Sequence, residues 1–434
     1  MADEKFIIRG SKPLKGEIEV KGAKNAATPI LAATLLTDEP CELRNVPEIE
    51  DVFRMIELLK SIGAEVERLA PGHLRICCKN ADISKANLNL ISKLRSSILI
   101  LGPAMARFNY FKFPHPGGCQ IGSRIIDPHI LALNELGVET VSSRDVYESC
   151  REILKGAEIV MDEFSVTGTE NALMAATLAE GRTVIKCAAS DFYVQDLAHF
   201  LNKMGARISG IGSHTLVVDG VKKLRGVDYA IIPDPIEMGT FVSLLAATKS
   251  RGVIKNFVPE FLEIELLKFK EANVNLSIRE LNKNDGGWGY KMGNLEVLPT
   301  TNLKAVKKIH NMPHPGFTAD LIQPFAVLMT QAEGTSLIHD WMYEGRLKYI
   351  DELVKMGANA IVCDPHRALI TGPTPLYGTN ISSFDLRTGA TLVIAGLVAQ
   401  GETVINNAYQ VDRGYERIEQ RLQQLGADIR RVSS

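Results

Sequence analysis

A six-residue phrase that recurs six times limits the folds that this chain can adopt. The copies lie 74, 68, 68, 84 and 69 residues apart, so the 434 residues form six repeats of similar length. The third residue is glycine in five copies and Asn273 in the fourth. The copies are SIGAEV from residue 61, ELGVET from 135, KMGARI from 203, EANVNL from 271, KMGANA from 355 and QLGADI from 424.

Each copy of the phrase predicts the end of an amphipathic helix. In the stretch DVFRMIELLKSIGA, the apolar residues Val52, Met55, Ile56 and Leu59 recur at helical spacing. The glycine that follows suits a helix C-terminus, because it adopts the left-handed backbone conformation without steric cost. A short run with strand character, such as AEVERL, comes next.

A second kind of helix precedes the amphipathic one in most repeats. Stretches such as ALMAATLAEG and TLVIAGLVAQG are rich in alanine and apolar nearly all round, which is typical of buried helices. Each repeat thus contains a buried helix, a strand, an amphipathic helix and further strands. This α/β pattern predicts two domains of three repeats, with helices inside and sheets outside. The strand runs argue against a single helical repeat array. We place the hinge near IIPDPIE, residues 231–237.

Composition and charge exclude several classes of protein. The chain is 45% hydrophobic and 23% charged, with a formal net charge of −2, so no overall field attracts nucleic acid or an anionic membrane. The seven cysteines are scattered without a CxxC pair, which argues against a zinc site or a disulfide framework. We find no signal-peptide pattern and no apolar run of membrane-spanning length, so we expect a cytoplasmic protein. Nothing in the sequence indicates an oligomeric state.

Charged and polar residues lie just ahead of the buried helices. Lys24, Arg95 and Arg387 place cations where the helix dipole opposes them, and a bound anion would explain that placement. Asn25, Ser165, Thr167 and Asp385, considered alone, are better explained as helix caps. In the fourth and fifth repeats the corresponding residues are Asp234, Glu237 and Asp320.

A further cation, Arg413, follows Asp412 in VDRGYERIEQRL. We expect Asp412 to be an N-cap and Arg413 to lie in the first helical turn. Arg413 could be a solvated residue at a helix start or a phosphate ligand, and the sequence leaves both interpretations open.

One cysteine lies in a glycine-rich loop beside an arginine. Cys119 belongs to HPGGCQIGSR, where three glycines favour a mobile loop and Arg124 could stabilise a thiolate. A loop cysteine of this kind can act as an acid or a nucleophile. Cys187, in contrast, fits a small buried hydrophobic residue.

Several motifs, in order along most of the chain, resemble the UDP-N-acetylglucosamine enolpyruvyl transferases. The resemblance implies two inside-out α/β barrel domains, residues 24–232 and residues 1–23 plus 233–434, with six βαβαββ-type repeats and a site in the cleft between them. The motifs are GAKNAATPILAATLL, LRSSILILGP, PGGCQIGSR with IIDPH, VTGTENALMAATLAEG, PDPIEMGTF, the DLI of TADLIQ, FDLRTGA and DRGYERIEQRLQQLGA.

The resemblance also implies a reaction. The enolpyruvyl group of phosphoenolpyruvate would move to the 3′-hydroxyl of UDP-N-acetylglucosamine by addition and elimination, with release of phosphate. This step begins peptidoglycan precursor synthesis. No metal and no organic cofactor would be needed, and both partners are small molecules.

Site residues transfer from the family motif by motif. Cys119 would be the general acid, able to form an adduct with phosphoenolpyruvate, and Asp320 a candidate base. Lys24, Arg124 and Arg413 would hold phosphoenolpyruvate. The expected contacts of the nucleotide sugar are Asn25, Arg95, the uridine-side residues Asp127 and His129, the diphosphate loop Ser165, Val166 and Thr167, and also Arg346 and Arg387.

Three departures from the family pattern concern the acceptor. Glu163 stands where some members carry lysine near the diphosphate, ASDFYV replaces a common Arg-Glu-Pro-Glu-like run, and IIDPH has isoleucine and Pro128 where proline and leucine are common. Another nucleotide acceptor is therefore an alternative. Shikimate 3-phosphate is a second, although the sister enzymes that use it lack the PGGC loop. A non-catalytic binding protein is a third, and it predicts loss of key residues that are all present here.

Overall fold

The computed structural model describes residues 4–115, 126–144, 146–283 and 288–433. These residues divide into two compact units. Unit I contains the described residues from 22 to 232, and unit II contains residues 4–21 together with those from 233 to 433.

The strands are short and spread along the whole chain. In the described residues they are β1 (Glu4–Arg9), β2 (Lys15–Glu19), β3 (Cys41–Arg44), β4 (Glu65–Ala70), β5 (His73–Cys77), β6 (Tyr110–Pro114), β7 (Val138–Ser142), β8 (Val146–Arg151), β9 (Glu158–Val160), β10 (Arg182–Lys186), β11 (Arg207–Ser209), β12 (Thr215–Asp219), β13 (Asp228–Ala230), β14 (Arg251–Phe257), β15 (Asn275–Lys283), β16 (Lys291–Leu298), β17 (Lys308–His310), β18 (Gly334–His339), β19 (Asn359–Asp364), β20 (Arg367–Gly372), β21 (Asn380–Ser382), β22 (Glu402–Asn406) and β23 (Asp428–Ser433).

Helices alternate with these strands. The α-helices are α1 (Lys24–Ala33), α2 (Glu50–Ser61), α3 (Leu88–Ile91), α4 (Leu101–Arg107), α5 (Asp127–Glu135), α6 (Val166–Ala176), α7 (Phe192–Met204), α8 (Pro235–Ala247), α9 (Glu263–Glu271), α10 (Ile322–Thr330), α11 (Tyr349–Lys355), α12 (Leu386–Val398), α13 (Tyr409–Asp412) and α14 (Ile418–Gln424). Short 3₁₀ helices span Thr34–Leu36, Ile83–Lys85, Arg95–Ile100, Pro259–Leu262, Ala319–Leu321 and Arg346–Lys348.

Each unit contains three small sheets, which matches three repeats per unit. In unit I the strand orders are β13-β3-β5-β4, β11-β12-β10-β9 and β6-β8-β7. In unit II they are β21-β22-β1-β23, β15-β16-β14-β2 and β17-β18-β20-β19. Each four-stranded sheet combines one parallel pair with antiparallel pairs. The predicted α/β fold of six repeats is therefore confirmed.

The start of the chain completes two sheets of unit II. Strand β1 lies between β22 and β23 and is antiparallel to both. Strand β2 runs parallel to β14 at the edge of the next sheet.

The two predicted kinds of helix both occur. Every residue of α8 is buried, as are all residues of α10, so these helices contribute no solvated face. Helix α2 instead buries one face, which includes Val52, Met55 and Leu59, and exposes the other. Burial of the apolar helices is what orders each unit, because apolar surface removed from water is the main favourable contribution to folding.

The recurring phrase marks six sites of left-handed backbone. All six third residues have positive φ, between 62° and 108°. Asn273 has φ 62°, and asparagine is one of the few side chains that tolerate this conformation. The others are Gly63, Gly137, Gly205, Gly357 and Gly426.

The predicted helix start at Asp412 is wrong. Asp412 is the last residue of α13, and the next helix begins at Ile418 after Arg417, which has φ 42°. The Asp412 carboxylate instead accepts hydrogen bonds of 2.6 and 2.7 Å from Arg431 on β23. A partner nineteen residues later thus replaces the capping interaction that the local sequence favours.

None of the helices in the described ranges is long and apolar enough to span a lipid bilayer.

Candidate active site

In unit II, one carboxylate lies between two arginines. Asp320, in the 3₁₀ turn before α10, accepts a hydrogen bond of 2.5 Å from Arg346 Nη2 at Oδ1 and one of 2.8 Å from Arg387 Nε at Oδ2. The arginine side chains are 4% and 6% exposed and the aspartate 21%. Both carboxylate oxygens are therefore engaged by permanent cations.

This arrangement controls the charge of Asp320. Burial acts to raise the pKa of its carboxyl, but Arg387 and Arg346 outweigh burial and hold that pKa well below its usual range. Asp320 is therefore ionised at neutral pH and accepts a proton only weakly while both arginines remain in contact.

Arg346 retains unused hydrogen-bond donors. Its Nε and Nη1 atoms are buried, and neither has a hydrogen-bond partner among the described residues. The guanidinium also lies 4.7 Å from the centre of the Tyr343 ring. Unpaired buried donors on a cation are costly, and an anionic ligand would satisfy them.

Two aspartates cap helices of unit II. Asp385 caps α12 by accepting hydrogen bonds from the backbone N–H groups of Arg387 at 2.8 Å and Thr388 at 3.1 Å, as predicted. Asp234 caps α8 through Ile236 N at 2.8 Å. Burial raises the pKa of Asp234 to about 7 despite the opposing charge of Arg387.

Arg413 lies at the C-terminal end of α13 rather than in a first helical turn. Its Nη1 atom donates a hydrogen bond of 3.3 Å to Gln410 Oε1, and the residue is half-buried.

In unit I, Lys24 is paired with an aspartate that the sequence analysis missed. Lys24 Nζ, at the start of α1, lies 2.5 Å from Asp51 Oδ2 on α2. The side chains are 15% and 5% exposed. Asp51 precedes Val52 and shares a helix face with Met55, so a carboxylate on an apolar face was the available signal.

A second group in unit I surrounds the start of α6. Ser165 caps the helix by accepting a hydrogen bond of 3.2 Å from Gly168 N, as predicted. Thr167 is not a cap, because it lies inside the first turn, where its hydroxyl contacts His129 Nε2 at 3.1 Å. Burial lowers the pKa of the His129 imidazole, and the positive charge of Arg95 lowers it further.

The family resemblance places His129 beside the uridine. The structure leaves neither of its ring nitrogens open to solvent for such a contact. The residue is 1% exposed, and both ring nitrogens lie within hydrogen-bond distance of protein atoms. The missed residue here is Asn171, which is fully buried in α6. A polar amide in an otherwise apolar helix was its signal, because buried polar groups require partners.

The remaining predicted residues are distributed as follows. Asn25 is the second residue of α1, where Ala23 takes the N-cap position, so Asn25 is half-buried but not a cap. Asp127 is exposed at the start of α5, and Val166 is the first residue of α6. Cys119 and Arg124 lie outside the described residues.

A cavity of about 710 Å³ in unit II contains none of the predicted site residues. It lies beside α9, β15 and the end of β16, and two of its polar groups are paired locally: Asn273 Nδ2 donates to Asn302 O, and Asn275 N donates to Thr300 Oγ1, each at 3.1 Å. Across the part of the chain that the structure describes, no three His, Cys, Asp or Glu side chains are grouped as metal ligands.

The chain shares its fold with solved structures of an enolpyruvyl transferase and of EPSP synthase. The chain is similar over its full length to the enolpyruvyl transferase NikO from Streptomyces tendae, with a TM-score of 0.88 at 22% sequence identity and 100% of both chains covered. It is also similar to EPSP synthase from Acinetobacter baumannii, with a TM-score of 0.74 at 17% identity, 99% of this chain and 100% of that one covered.

The sequence family described as EPSP synthase (3-phosphoshikimate 1-carboxyvinyltransferase) matches residues 8–422, so the fold and sequence together define a carboxyvinyltransferase. Relatives named UDP-N-acetylglucosamine 1-carboxyvinyltransferase match more specifically. The Treponema denticola protein is 41% identical over 98% of both chains, and the Coxiella burnetii protein is 44% identical over 99% of this chain and 96% of its own. The chain belongs to the UDP-N-acetylglucosamine 1-carboxyvinyltransferase family.

Proposed function

We propose that this protein transfers the enolpyruvyl group of phosphoenolpyruvate to the 3′-hydroxyl of UDP-N-acetylglucosamine and releases phosphate. The product would be the first intermediate committed to peptidoglycan synthesis. Because both substrates are water-soluble anions of the cell interior, we infer that the enzyme works in the cytoplasm.

The observation that carries this proposal is the position of Asp320 between Arg346 and Arg387. The buried Arg346 guanidinium, with two donors that lack a hydrogen-bond partner among the described residues, suits phosphate or carboxylate groups, and the two substrates carry such groups. A carboxylate in the same cluster suits a reaction in which a hydroxyl must lose its proton. The names of relatives matched over nearly the whole chain support the same reaction.

We assign phosphoenolpyruvate to Lys24, Arg124 and Arg413, whose charges complement its phosphate and carboxylate. For the nucleotide sugar we assign Asn25, Arg95 and Asp127, together with Ser165, Val166 and Thr167 at the start of α6. Free backbone N–H groups at that helix start favour a diphosphate. That these two groups of residues act in one cleft stays a prediction.

The chemistry is a balanced addition and elimination. The Cys119 thiol gives its proton to the methylene carbon of phosphoenolpyruvate, and the sugar 3′-oxygen forms a bond to the adjacent carbon while its own proton passes to Asp320. The tetrahedral adduct then expels inorganic phosphate. The Cys119 thiolate then takes a proton back from the new methyl group, which restores the carbon–carbon double bond, and the proton held by Asp320 passes to the released phosphate.

Substrate binding would also change the basicity of Asp320. With both arginines in contact, its pKa lies well below the usual range, so it is a weak base. An anionic substrate that takes hydrogen bonds from Arg346 or Arg387 would weaken their hold on the carboxylate. Asp320 would then become more basic when a substrate is present to supply the proton.

The direct test is release of inorganic phosphate from phosphoenolpyruvate with two acceptors in parallel. UDP-N-acetylglucosamine should support turnover and shikimate 3-phosphate should not. Turnover with shikimate 3-phosphate alone would assign the chain to the sister reaction, whose family description also matches this sequence. Binding of UDP-N-acetylglucosamine without turnover would indicate a binding protein.

A further inference from the structure

The buried side-chain amide of Asn171, in α6, has two backbone partners that determine which of its ends is the oxygen and which the nitrogen. The Asn171 Oδ1 atom accepts a hydrogen bond of 2.7 Å from Gly102 N, and the Nδ2 atom donates one of 2.9 Å to the Ile98 carbonyl. Because a backbone N–H only donates and a carbonyl only accepts, the two ends of the amide are assigned without ambiguity.

This amide determines the tautomer of His129. Asn171 Nδ2 lies 2.7 Å from His129 Nδ1, and since Nδ2 carries the hydrogens, Nδ1 must accept. The ring proton is therefore on Nε2. Burial, together with the charge of Arg95, lowers the pKa of His129 to about 3, so the ring stays neutral at physiological pH.

The tautomer in turn determines the direction of the Thr167 hydroxyl. His129 Nε2–H donates to Thr167 Oγ1 at 3.1 Å. The Thr167 hydroxyl oxygen is therefore the acceptor in this hydrogen bond. Among the described residues, none accepts the hydroxyl's own proton. Thr167 is half-buried in the first turn of α6, so that proton is available to a ligand at the helix start.

We propose that His129 is a positioning residue: with Asn171 it holds the Thr167 hydroxyl as a hydrogen-bond donor to the diphosphate of the nucleotide sugar. This inference rests on the proposed function and adds to it a group of residues that recognises the diphosphate of the acceptor. The reverse arrangement, with the hydroxyl donating to the ring, would place two N–H groups of Asn171 and His129 against each other at 2.7 Å.

Variants of Thr167 and His129 test this inference. Thr167→Val should raise the Kd and KM for UDP-N-acetylglucosamine about tenfold, since a hydrogen bond to a charged group is lost, whereas Thr167→Ser should stay close to wild type. His129→Gln can still accept from Asn171 and donate to Thr167, so it should keep most of the affinity that His129→Phe loses. The KM for phosphoenolpyruvate should not change in any of these variants.

A double-variant cycle separates positioning from general damage. If His129 acts through Thr167, Thr167→Val should add little to the loss already present in His129→Phe. Additive losses, or equal losses in His129→Gln and His129→Phe, would overturn the inference. Calorimetric binding and thermal melts of each variant show whether affinity or folding has changed.

The tautomer is measurable without any variant that threatens the fold. Long-range ¹H–¹⁵N spectra of the histidine-labelled wild type should show a proton on Nε2 and a bare Nδ1 for His129 throughout the neutral range. A proton on Nδ1, or an active enzyme in which Thr167→Val leaves affinity unchanged, would contradict this inference alone. A wild type that fails to bind UDP-N-acetylglucosamine would overturn the proposed function and this inference with it.

Discussion

The Tyr229 hydroxyl donates a hydrogen bond of 2.5 Å to Asp196 Oδ1 in the interior of unit I. The carboxylate is 1% exposed and also accepts from Ile232 N at 3.3 Å. Burial outweighs these two bonds and raises the pKa of Asp196 from 3.8 to about 7. The folded protein therefore keeps a proton that the unfolded chain has already released.

This proton makes stability depend on pH. The contribution is present below about pH 4 and is lost as pH rises to about 7, at up to roughly 1.4 kcal/mol per pH unit. In Asp196→Asn, the fall in the free energy of unfolding across this range should be smaller than in wild type. Urea unfolding at several pH values measures the slope, and exposed Asp351→Asn should keep the wild-type slope.

Because Lys24 is paired with Asp51, we expect inorganic phosphate to stabilise a variant that lacks the Asp51 carboxylate. Asp51→Asn leaves the largely buried ammonium beside a neutral amide and should lower the free energy of unfolding by about 1–3 kcal/mol. Because an anion at Lys24 would restore charge balance, inorganic phosphate should raise the Tm of the variant more than that of wild type. An equal response of both proteins would argue against an anion site at Lys24.

Asp320 is predicted to be needed for turnover, and its replacement should also lower the Tm because Arg346 and Arg387 are buried beside its charge. Asp320→Asn should lower kcat about 10²- to 10⁴-fold, because the amide cannot take the hydroxyl proton. Steady-state phosphate release gives the rate, and a melting curve checks the fold. Asp351→Asn, an exposed aspartate on α11, is the matched control and should retain full activity. A variant at position 320 with wild-type kcat would remove Asp320 from the mechanism.

Glu163 should weaken binding of the nucleotide sugar. It precedes Ser165 by two residues, and Ser165 N donates to its carbonyl at 2.7 Å. Burial and the neighbouring Asp162 both raise the pKa of its carboxyl. Glu163→Lys should lower the KM for UDP-N-acetylglucosamine about two- to fivefold at low salt, the range of an exposed charge pair.

The control for Glu163 makes the same charge change elsewhere. Glu65→Lys, at an exposed position of β4, should leave that KM unchanged. If both lysine variants lower the KM for the nucleotide sugar by the same factor, the change in net charge, and not the position of Glu163 beside the diphosphate loop, explains the tighter binding.

Cys119 should be the thiol that reacts with the epoxide fosfomycin. The thiolate would open the ring, forming a sulfur–carbon bond as a carbon–oxygen bond breaks. Intact-mass and peptide mass spectrometry should locate one adduct on Cys119, and Cys119→Ser should prevent it. Cys187 is exposed, not buried as its sequence context predicts, and Cys363 is exposed as well. An adduct on either of them instead would contradict the assignment.

The features that the sequence predicts well are those that depend on neighbouring residues. The positive φ at Gly205 and Asn273 and the cap at Asp385 follow from local backbone chemistry. Burial of α8 follows from its composition. Periodicity and capping act within a few residues, and one sequence is enough to recognise them.

Pairings between distant residues escape such reasoning. Asp320 finds Arg346 and Arg387, which are 26 and 67 residues away, only because the fold of unit II brings their helix starts together. The cap predicted at Asp412 does not form, because its partner Arg431 belongs to another element. The direction of the Thr167 hydroxyl depends on Asn171 through His129, and no local pattern encodes it.

The placement of β1 constrains the order of events on the ribosome. In the described residues this strand precedes every other strand along the chain, whereas its two hydrogen-bonded neighbours, Glu402–Asn406 and Asp428–Ser433, are the last two strands to be synthesised. All of unit I can be synthesised while both edges of β1 are still unpaired. A polypeptide released before residue 402 would therefore leave both edges of β1 unpaired. Exposed strand edges of this kind are surfaces that chaperones and proteases recognise.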